Sequence, residues 1–335
     1  MKKICTTALG LIVIMAVICS CASCNHTKKT SGENVVAETV GPTFNEDSAY
    51  AFCQQQCNFG PRAMNTPAHE QCKDWIIEKF RAYGCVVEAQ QADLPGYDGT
   101  VLKATNIIAR TSTDKTKPHI LLCAHYDSRP WADNDAEKSN HHQPIIGAND
   151  GASGIAVMME IARLLQQHPL QNVAVDFVCF DAEDWGTPQW SEKQSDESWA
   201  LGSRHWSTNR PYKNDYTIPF GILLDMVGGT GARFYQEAFS LQYAQTIVNK
   251  VWNAAASVGY SGYFPTTPGG YVTDDHVPVN EIAGIPTVDI VPYYPDCRES
   301  SFGPTWHTVA DNMDNIDKNT LKAVGQTVIQ VLYSE

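Results

Sequence analysis

Apolar and amphipathic stretches alternate along the chain from Phe44 to the C-terminus. Apolar residues recur at helical spacing in five segments, which predicts helices at 48–58, 66–83, 155–167, 241–258 and 318–333. Short runs rich in Val, Ile, Leu and Phe predict strands at 86–92, 104–110, 119–124, 173–180, 218–224 and 287–292. Strands that alternate with helices indicate a single globular α/β domain, whose central β-sheet is flanked by helices. Because no helix separates the early strands, we expect a mixed sheet that is partly antiparallel.

Three of the predicted strands run directly into acidic or imidazole side chains. These side chains are Asp181, Glu183 and Asp184 after strand 173–180, His125 and Asp127 after strand 119–124, and Asp225 after strand 218–224. Crowded carboxylates repel each other unless a cation or a proton relieves them. Ligands of open α/β sheets bind outside the carboxyl ends of the strands, so we expect one metal-binding crevice there. The irregular segments 128–146 and 185–199 begin close behind two of these strands and are expected to wall the crevice.

Two Gly-rich loops supply further candidate ligands. The loop GANDGASG carries Asp150 just before helix 155–167, where an aspartate could also serve only as the helix N-cap. The loop that contains TWHT carries His307. Both loops therefore hold residue types that bind metals, although the first has a purely structural alternative.

A catalytic zinc site usually takes three ligands from His, Asp and Glu and leaves one position open. Asp150, Asp184 and His307 would supply such a set, and Glu183 beside it would be free to move protons. His125 and Asp225 would hold a second ion if Asp150 bridges two metals. The residue types alone leave one metal and two metals as alternatives.

The charge balance narrows the class of partner. The chain has 335 residues and a formal net charge of -13. Nucleic acids and anionic membrane surfaces are bound by basic patches, so this charge argues against both. We therefore expect no nucleic-acid partner, and contact with a membrane only through an anchor.

The first 43 residues have the pattern of an export signal followed by a tether. Two lysines precede an apolar run at 8–18 that is short for a membrane span. Ser20 before Cys21 resembles the cleavage site of bacterial lipoproteins, with Cys24 or ordinary cleavage as the alternatives. We expect a signal peptide at 1–20, a flexible tether at 21–43 and a catalytic domain at 44–335. The protein would then be exported, and either periplasmic or anchored as a lipoprotein in a bacterial envelope.

An odd number of cysteines follows the tether. Cys53 and Cys57 share one helical face, which fits core packing or a bridge to another helix. Cys123 and Cys179 lie inside apolar strands and are expected to be buried thiols. No CxxC occurs among the cysteines that follow the tether, so they are not expected to form a metal site.

Short motifs then give a family resemblance. In order along the chain they are HYDSRP, GANDGASG, FDAED, ALGSRHW, LLDMVG, TDDH and TWHT. Their order and spacing, from Phe44 to the C-terminus, resemble the zinc-dependent aminopeptidase superfamily. The TDDH version of its loop is most similar to the glutaminyl-peptide cyclotransferases, or glutaminyl cyclases, of that superfamily. The resemblance implies a zinc aminopeptidase-like fold and one zinc ion per chain.

The resemblance also implies roles for individual residues. It implies that Asp150, Asp184 and His307 hold the zinc and that Glu183 is the general acid and base. The other matched residues are Asp225 and Asp274 as carboxylates near the substrate amine, and Trp190, Trp306 and Phe302 as walls of the substrate pocket. The implied reaction converts an N-terminal Gln of a peptide or protein to pyroglutamate and releases ammonia. We expect the protein to act as a monomer.

Two positions depart from the pattern of the family. Asp184 stands where relatives commonly carry Glu, whose side chain is one methylene longer, and Asp289 stands where animal cyclases carry His. We therefore expect Asp225, Asp274 and Asp289 to form a carboxylate cluster at the substrate site, in which at least one group holds or shares a proton near neutral pH. With one zinc bound, His125 and Asp225 are expected to form hydrogen bonds instead of holding a second ion.

Two other functions compete with the cyclase. One is a metallo-aminopeptidase of the same superfamily, with one or two zinc ions. The other is a binding lipoprotein that keeps the fold without activity, and the intact Glu183 with its full ligand set argues against this alternative.

Overall fold

In the computed structural model, which describes residues 39–213 and 215–335, six strands form one sheet that carries helices on both faces. The strands are β1 (Val86–Pro95), β2 (Val101–Arg110), β3 (His119–His125), β4 (Ala174–Phe180), β5 (Gly221–Leu224) and β6 (Thr287–Ile290). The helices are α1 (Glu46–Asn58), α2 (Pro67–Ala82), α3 (Ala152–Gln167), α4 (Leu201–Thr208), α5 (Ala238–Ser257), α6 (His276–Glu281) and α7 (Lys318–Tyr333). The predicted single α/β domain is confirmed.

The sheet is mixed, as its early strands predict. The strand order is β1-β2-β4-β3-β5-β6. β1 pairs with β2 and β2 with β4 in antiparallel fashion, whereas β4, β3, β5 and β6 are mutually parallel. The carboxyl ends of the four parallel strands therefore meet at one edge of the sheet, where ligands bind in open α/β folds.

Side chains of β3 alternate between the two faces of the sheet. Ile120, Leu122 and Ala124 pack with α1, α2, α3, α5 and α7 in the main core. Leu121 and Cys123 face the opposite way and pack with Trp206 of α4 and Val279 of α6. Because both faces are covered, the strand is apolar from Ile120 to Ala124, and its polar residues His119 and His125 stand at its two ends.

Two helices are absent from the sequence prediction. α4 has eight residues, and α6 has six residues that include Pro278. Such lengths contain too few turns for a helical period to stand out. The segments 128–146 and 185–199, predicted to be irregular, contain only short 3-10 turns at Lys138–Asn140 and Asp196–Ser198.

The described cysteines are free thiols, and all are buried except the partly exposed Cys297. Burial of Cys123 and Cys179 agrees with the prediction. The predicted signal peptide at 1–20 and most of the predicted tether at 21–43 lie outside the described residues. Within the described ranges, no helix is both long enough and apolar enough to cross a membrane.

Candidate active site

The three acids that follow β4 make three different sets of contacts. Asp181 turns into the protein, where its carboxylate lies 2.8 Å from His69 Nε2 and accepts a hydrogen bond from the Tyr126 hydroxyl at 2.7 Å. Ala182 has a left-handed backbone with φ of 53°, a strained conformation for a residue with a Cβ. This turn directs Glu183 and Asp184 towards the crevice at the edge of the sheet. Asp181 is therefore a structural residue.

Asp150, Asp184 and His307 come together as the sequence predicts. One ligand atom from each lies within 4.8 Å of the others, and all three side chains are buried. His307 Nε2 is 3.2 Å from Asp184 Oδ1 and 3.5 Å from Asp150 Oδ2. His307 has a φ of 53°, so its backbone is held in the left-handed region at the site.

Asp150 also faces a second set of candidate ligands. His125 Nε2 lies 3.1 Å from Asp150 Oδ1 and 3.2 Å from Asp225 Oδ1. One oxygen of Asp150 thus faces His125 and the other faces His307. The N-cap of α3 is Gly151 and has no side-chain capping bond, so the alternative role of Asp150 as a helix cap is wrong.

The first set fits a zinc ion. Its donors are carboxylate oxygens and an imidazole nitrogen, which Zn²⁺ prefers. Among the described residues, nothing donates a hydrogen bond to either oxygen of the buried Asp184. Burial, together with the neighbouring Asp150 carboxylate, raises the pKa of Asp184 to about 6. A cation between these groups would use the free lone pairs and stabilise the charged carboxylates.

Two carboxylates that the sequence analysis did not assign hold the backbone of the ligand loops. Asp127 accepts hydrogen bonds from the backbone N–H of Glu183 at 3.2 Å and of Asp184 at 3.1 Å. Asp311 accepts from the backbone N–H of Asn149 at 2.8 Å and of Asp150 at 3.0 Å. Outer residues of this kind orient metal ligands.

A third unassigned carboxylate lies behind His307. Asp133 Oδ1 is 3.5 Å from His307 Nδ1, the ring nitrogen that faces away from the ligand set. Arg129 donates hydrogen bonds to both oxygens of Asp133, at 2.8 and 2.6 Å. Although burial alone would raise it, the hydrogen bonds from Arg129 and His307 keep the pKa of Asp133 below its usual value. A charged Asp133 stabilises the tautomer of His307 that presents Nε2 to a metal.

Glu183 lies beside the ligand set and is 9% exposed. Burial raises the pKa of Glu183 well above its usual value, and the adjacent Asp184 carboxylate contributes to the rise. A carboxylate with a raised pKa is a stronger base than an ordinary carboxylate, which favours acceptance of a proton. The predicted role of Glu183 in proton transfer stays a prediction, and its burial beside the ligand set is compatible with it.

Asp225, Asp274 and Asp289 form the predicted cluster of buried carboxylates. Burial, with a contribution from the Asp274 charge, raises the pKa of Asp225 to about 7. Burial and the Asp274 charge also raise the pKa of Asp289 well above its usual value. No described residue donates a hydrogen bond to either oxygen of Asp289, which is 0% exposed. These shifts agree with the expectation that the cluster holds a proton near neutral pH.

His276 and Glu237 lie behind this cluster and were not predicted. His276 Nε2 is 3.1 Å from Glu237 Oε2, and His276 Nδ1 is 3.6 Å from Asp289 Oδ2. Glu237 also caps the N-terminus of α5 by accepting from the backbone N–H groups of Phe239 and Ser240. The imidazole thus lies between the carboxylate cluster and a helix end, and of these two contacts only the one to Glu237 is a hydrogen bond.

A cavity of about 260 Å³ opens above these residues. Its buried floor includes Asp150, Glu183, Asp225, Asp274 and His307. Trp199, Phe302 and Trp306 form aromatic walls. The pocket is of the size that holds a small ligand or the end of a peptide.

Trp306 and Phe302 lie where the sequence predicts them, whereas Trp190 does not line this cavity. Trp190 is 44% exposed and packs against Trp131 and His142, with ring centroids 6.0 and 4.6 Å away. Its predicted contact with substrate stays a prediction.

Trp199 supplies a pocket wall that sequence reasoning did not identify. Its indole stacks against the His307 ring at a centroid distance of 5.8 Å. Arg129 covers the indole, with its Cζ 4.5 Å from the ring centroid. A Cβ at Gly186 would come within 2.0 Å of the same indole, so only glycine fits there.

Comparisons with known proteins show a family and several similar structures. A sequence model of peptidase family M28 matches residues 106–332. The sequence is 50% identical to that of Bacteroides thetaiotaomicron glutaminyl cyclase. The crystal structure of that cyclase bound to N-acetylhistamine matches this fold with a TM-score of 0.85. That match covers 88% of this chain and 100% of the cyclase. A Zn-dependent exopeptidase from Parabacteroides distasonis is 45% identical with a TM-score of 0.85, and the match covers 88% of this chain and 100% of the exopeptidase.

Curated relatives include both cyclases and peptidases. The glutaminyl-peptide cyclotransferase of Gloydius blomhoffii is 27% identical over 258 residues, or 69% of this chain. An aminopeptidase of Bacillus subtilis is 30% identical over 221 residues, or 64% of this chain. The matched part of this chain spans 65% of the length of that cyclotransferase and 40% of the length of that aminopeptidase.

Proposed function

The chain belongs to peptidase family M28, and within this family we propose that it is a zinc-dependent glutaminyl-peptide cyclotransferase. It would convert the N-terminal Gln of peptides and proteins to pyroglutamate and release ammonia. The observation that carries this proposal is the 50% identity to a glutaminyl cyclase over 88% of the chain and the whole of that cyclase. The buried Glu183 beside a three-residue ligand set supplies the groups that the reaction needs.

The proposal includes one zinc ion, held by Asp150, Asp184 and His307. A zinc ion bound there would act as a Lewis acid that polarises the side-chain amide carbonyl of the substrate Gln. Asp127 and Asp311 fix the ligand loops through backbone hydrogen bonds. His125 and Asp225, 3.2 Å apart, then remain a hydrogen-bonded pair.

Glu183 moves the proton during ring closure. It accepts a proton from the substrate α-amine as the amine nitrogen attacks the carbonyl carbon of the side-chain amide. A new carbon–nitrogen bond closes the lactam ring, and the bond between that carbon and the amide nitrogen breaks. Glu183 returns its proton to the departing nitrogen, which leaves as ammonia.

The pocket holds the substrate in the conformation that cyclises. Asp225 and Asp274 on the floor are acids that can hold the α-amine. Trp199, Trp306 and Phe302 enclose the Gln side chain and limit access of water. Because the reaction is intramolecular, restricting the substrate to one folded conformer lowers the entropic part of the barrier.

The proposal extends to the location of the enzyme. The pattern of the first 43 residues supports export into a bacterial envelope. Lipid attachment at Cys21, or at Cys24, would anchor a monomeric catalytic domain to a membrane through a polar tether. Ordinary cleavage would release the same domain into the periplasm.

A metallo-aminopeptidase is the second candidate. The observation that favours it is the second ligand set, in which atoms of His125, Asp150 and Asp225 lie within 4.8 Å of one another. Asp150 offers one oxygen to each set, which is the arrangement of a bridged two-metal site. The chain is also 45% identical to a Zn-dependent exopeptidase.

One assay separates the candidates. Purified, zinc-loaded protein is incubated with a Gln-initiated dipeptide and, separately, with aminoacyl chromogenic substrates. Ammonia release from the dipeptide alone supports the cyclase, and amine release from the chromogenic substrates supports the peptidase. If neither ammonia nor amine is released, the result supports a binding protein without enzymatic activity. Zinc analysis of the same sample should find one ion per chain, and two tightly bound ions would overturn the single-zinc proposal.

A further inference from the structure

The residues that line the active-site cavity divide into a buried floor and an exposed rim. The floor residues, such as Glu183 and Asp225, are at most 9% exposed. Asp196 and Tyr271 also line the cavity but are exposed to solvent. When the amine and side-chain amide of a substrate Gln occupy the floor, the rest of the peptide must extend out of the cavity through this open side. The residue that follows the substrate Gln therefore passes the rim.

Asp196 is the charged residue of this rim. No Lys or Arg is among the described residues that line the cavity. Within residues 39–213 and 215–335, no cationic side chain lies within 4 Å of the Asp196 carboxylate. Arg204 donates a hydrogen bond to the backbone carbonyl of Asp196 at 3.5 Å and not to its carboxylate, so the carboxylate remains available to a group that leaves the pocket. The field at the opening is negative and favours a cationic side chain.

The backbone around Asp196 is held in place. The neighbouring Ser198 is buried; its hydroxyl accepts from the backbone N–H of Thr187 at 3.0 Å and donates to the Ser195 carbonyl at 2.6 Å. Trp199 anchors the other end of the turn by stacking on His307. A carboxylate on an anchored backbone loses less entropy when it pairs with a ligand.

Tyr271 adds an aromatic surface to the same rim. It is 70% exposed, and its ring is supported edge-on by Phe239 at a centroid distance of 4.8 Å. The methylene stem and charged head of Lys or Arg pack well against an aromatic face. A carboxylate and an open aromatic ring at one opening are therefore complementary to a long basic side chain.

We propose that the rim selects substrates in which Lys or Arg directly follows the N-terminal Gln, with Asp196 as the specificity-determining residue. The inference rests on the proposed cyclase function and adds the substrate class to it. Exposed ion pairs are weak, so the preference for Lys over an uncharged isostere is about two- to fivefold in kcat/KM. It declines as salt screens the exposed charge.

The test compares three peptides that differ only at the second residue: Gln-Lys-Ala-amide, Gln-norleucine-Ala-amide and Gln-Glu-Ala-amide. Norleucine keeps the length of the Lys stem without its charge. Ammonia release is measured with the wild type, with Asp196→Asn, and with Glu197→Gln. Glu197 is a matched control because it carries the same charge next in sequence but lines a separate cleft with Tyr97.

The wild type and Glu197→Gln are expected to prefer Lys over norleucine and norleucine over Glu, with smaller ratios at high salt. Asp196→Asn is expected to bring the ratios close to one. Equal rates on all three peptides in the wild type, or ratios that survive Asp196→Asn, would overturn the inference and leave the cyclase intact. The absence of ammonia from every peptide would instead overturn the proposed function.

Discussion

The Asp127 carboxylate accepts a hydrogen bond from the backbone N–H of Asp184 at 3.1 Å, although 57 residues separate them in sequence. The other oxygen of Asp127 accepts from the backbone N–H of Glu183 at 3.2 Å. A single buried side chain at the end of β3 thus holds the backbone of both the candidate zinc ligand and the candidate proton carrier at the end of β4. The positions of these two groups are coupled through it.

Replacing Asp127 by Asn should weaken zinc binding. The amide keeps one acceptor oxygen but places an NH₂ group against the second backbone N–H, so the ligand loop loses one of its two bonds. We expect the zinc affinity to fall about tenfold to a hundredfold, as measured by competition with a chromogenic chelator. Asp93→Asn, on the exposed edge strand β1, is the control. Equal affinities in the two variants would contradict the orienting role.

Glu183→Gln should remove catalysis and leave the metal in place. Gln has the shape of the protonated acid but cannot accept the proton from the amine. We expect kcat to fall by a factor of about 10² to 10⁴ while the zinc content measured by elemental analysis stays the same. Glu192→Gln, which lies outside the cavity, should behave as the wild type. A Glu183→Gln enzyme that keeps its rate would exclude this residue as the proton carrier.

Asp289→Asn should change how stability depends on pH. The pKa of Asp289 is raised in the folded protein by burial and by the Asp274 charge, so the native state binds more protons than the unfolded state. The free energy of unfolding of the wild type therefore falls as pH rises above the ordinary Asp value of about 4. Asn cannot ionise, so the variant should gain stability over the wild type as pH increases. Urea unfolding at pH 4 and pH 8 measures the difference.

The same variant should shift the pH–rate profile of ammonia release. Asn removes one titrating group from a cluster whose members share protons, so the apparent pKa values of the remaining pair must move. The Asp93→Asn control should leave both the profile and the pH dependence of stability unchanged. An unchanged profile for Asp289→Asn would show that Asp289 is not coupled to the reaction.

Gly186→Ala should displace a wall of the pocket. Its Cβ would come within 2.0 Å of the Trp199 indole, so the ring or the loop has to move. We expect a loss of about 1–3 kcal/mol in the free energy of unfolding and a higher KM for Gln peptides. Gly262→Ala is the control because no heavy atom lies within 4 Å of its Cβ position. Equal free energies of unfolding in the two variants would mean that the Trp199 loop rearranges to accept the methyl group without loss of stability.

The local sequence pattern was sufficient to find the edge of the sheet that carries the candidate active site. Glu183, Asp184 and Asp225 follow apolar strands, and the rule that parallel strands bind ligands at their carboxyl ends places them together without any tertiary information. His307 and Asp150 lie in Gly-rich loops, where residue type made them candidate ligands but left one metal and two metals as alternatives.

The supporting residues could not be found in this way. Asp311 reaches Asp150 across 161 residues, and no spacing rule connects them. Asp127 lies inside the HYDSRP motif, two residues beyond His125, and its position at a strand end was the available signal. Trp199 could not be preferred to Trp190, because both lie in irregular loops whose course depends on packing such as that against Gly186.

The left-handed turn at Ala182 allows neighbouring acids to serve unrelated purposes. Without it, Asp181 and Glu183 would emerge from an extended strand on the same face, because strand side chains alternate with a period of two. With it, one acid is bonded to Tyr126 in the interior and the next faces the open cavity. Grafting the sequence FDAED onto another protein would therefore require the same left-handed backbone at the alanine. Without that turn, its carboxylates would not point in these separate directions.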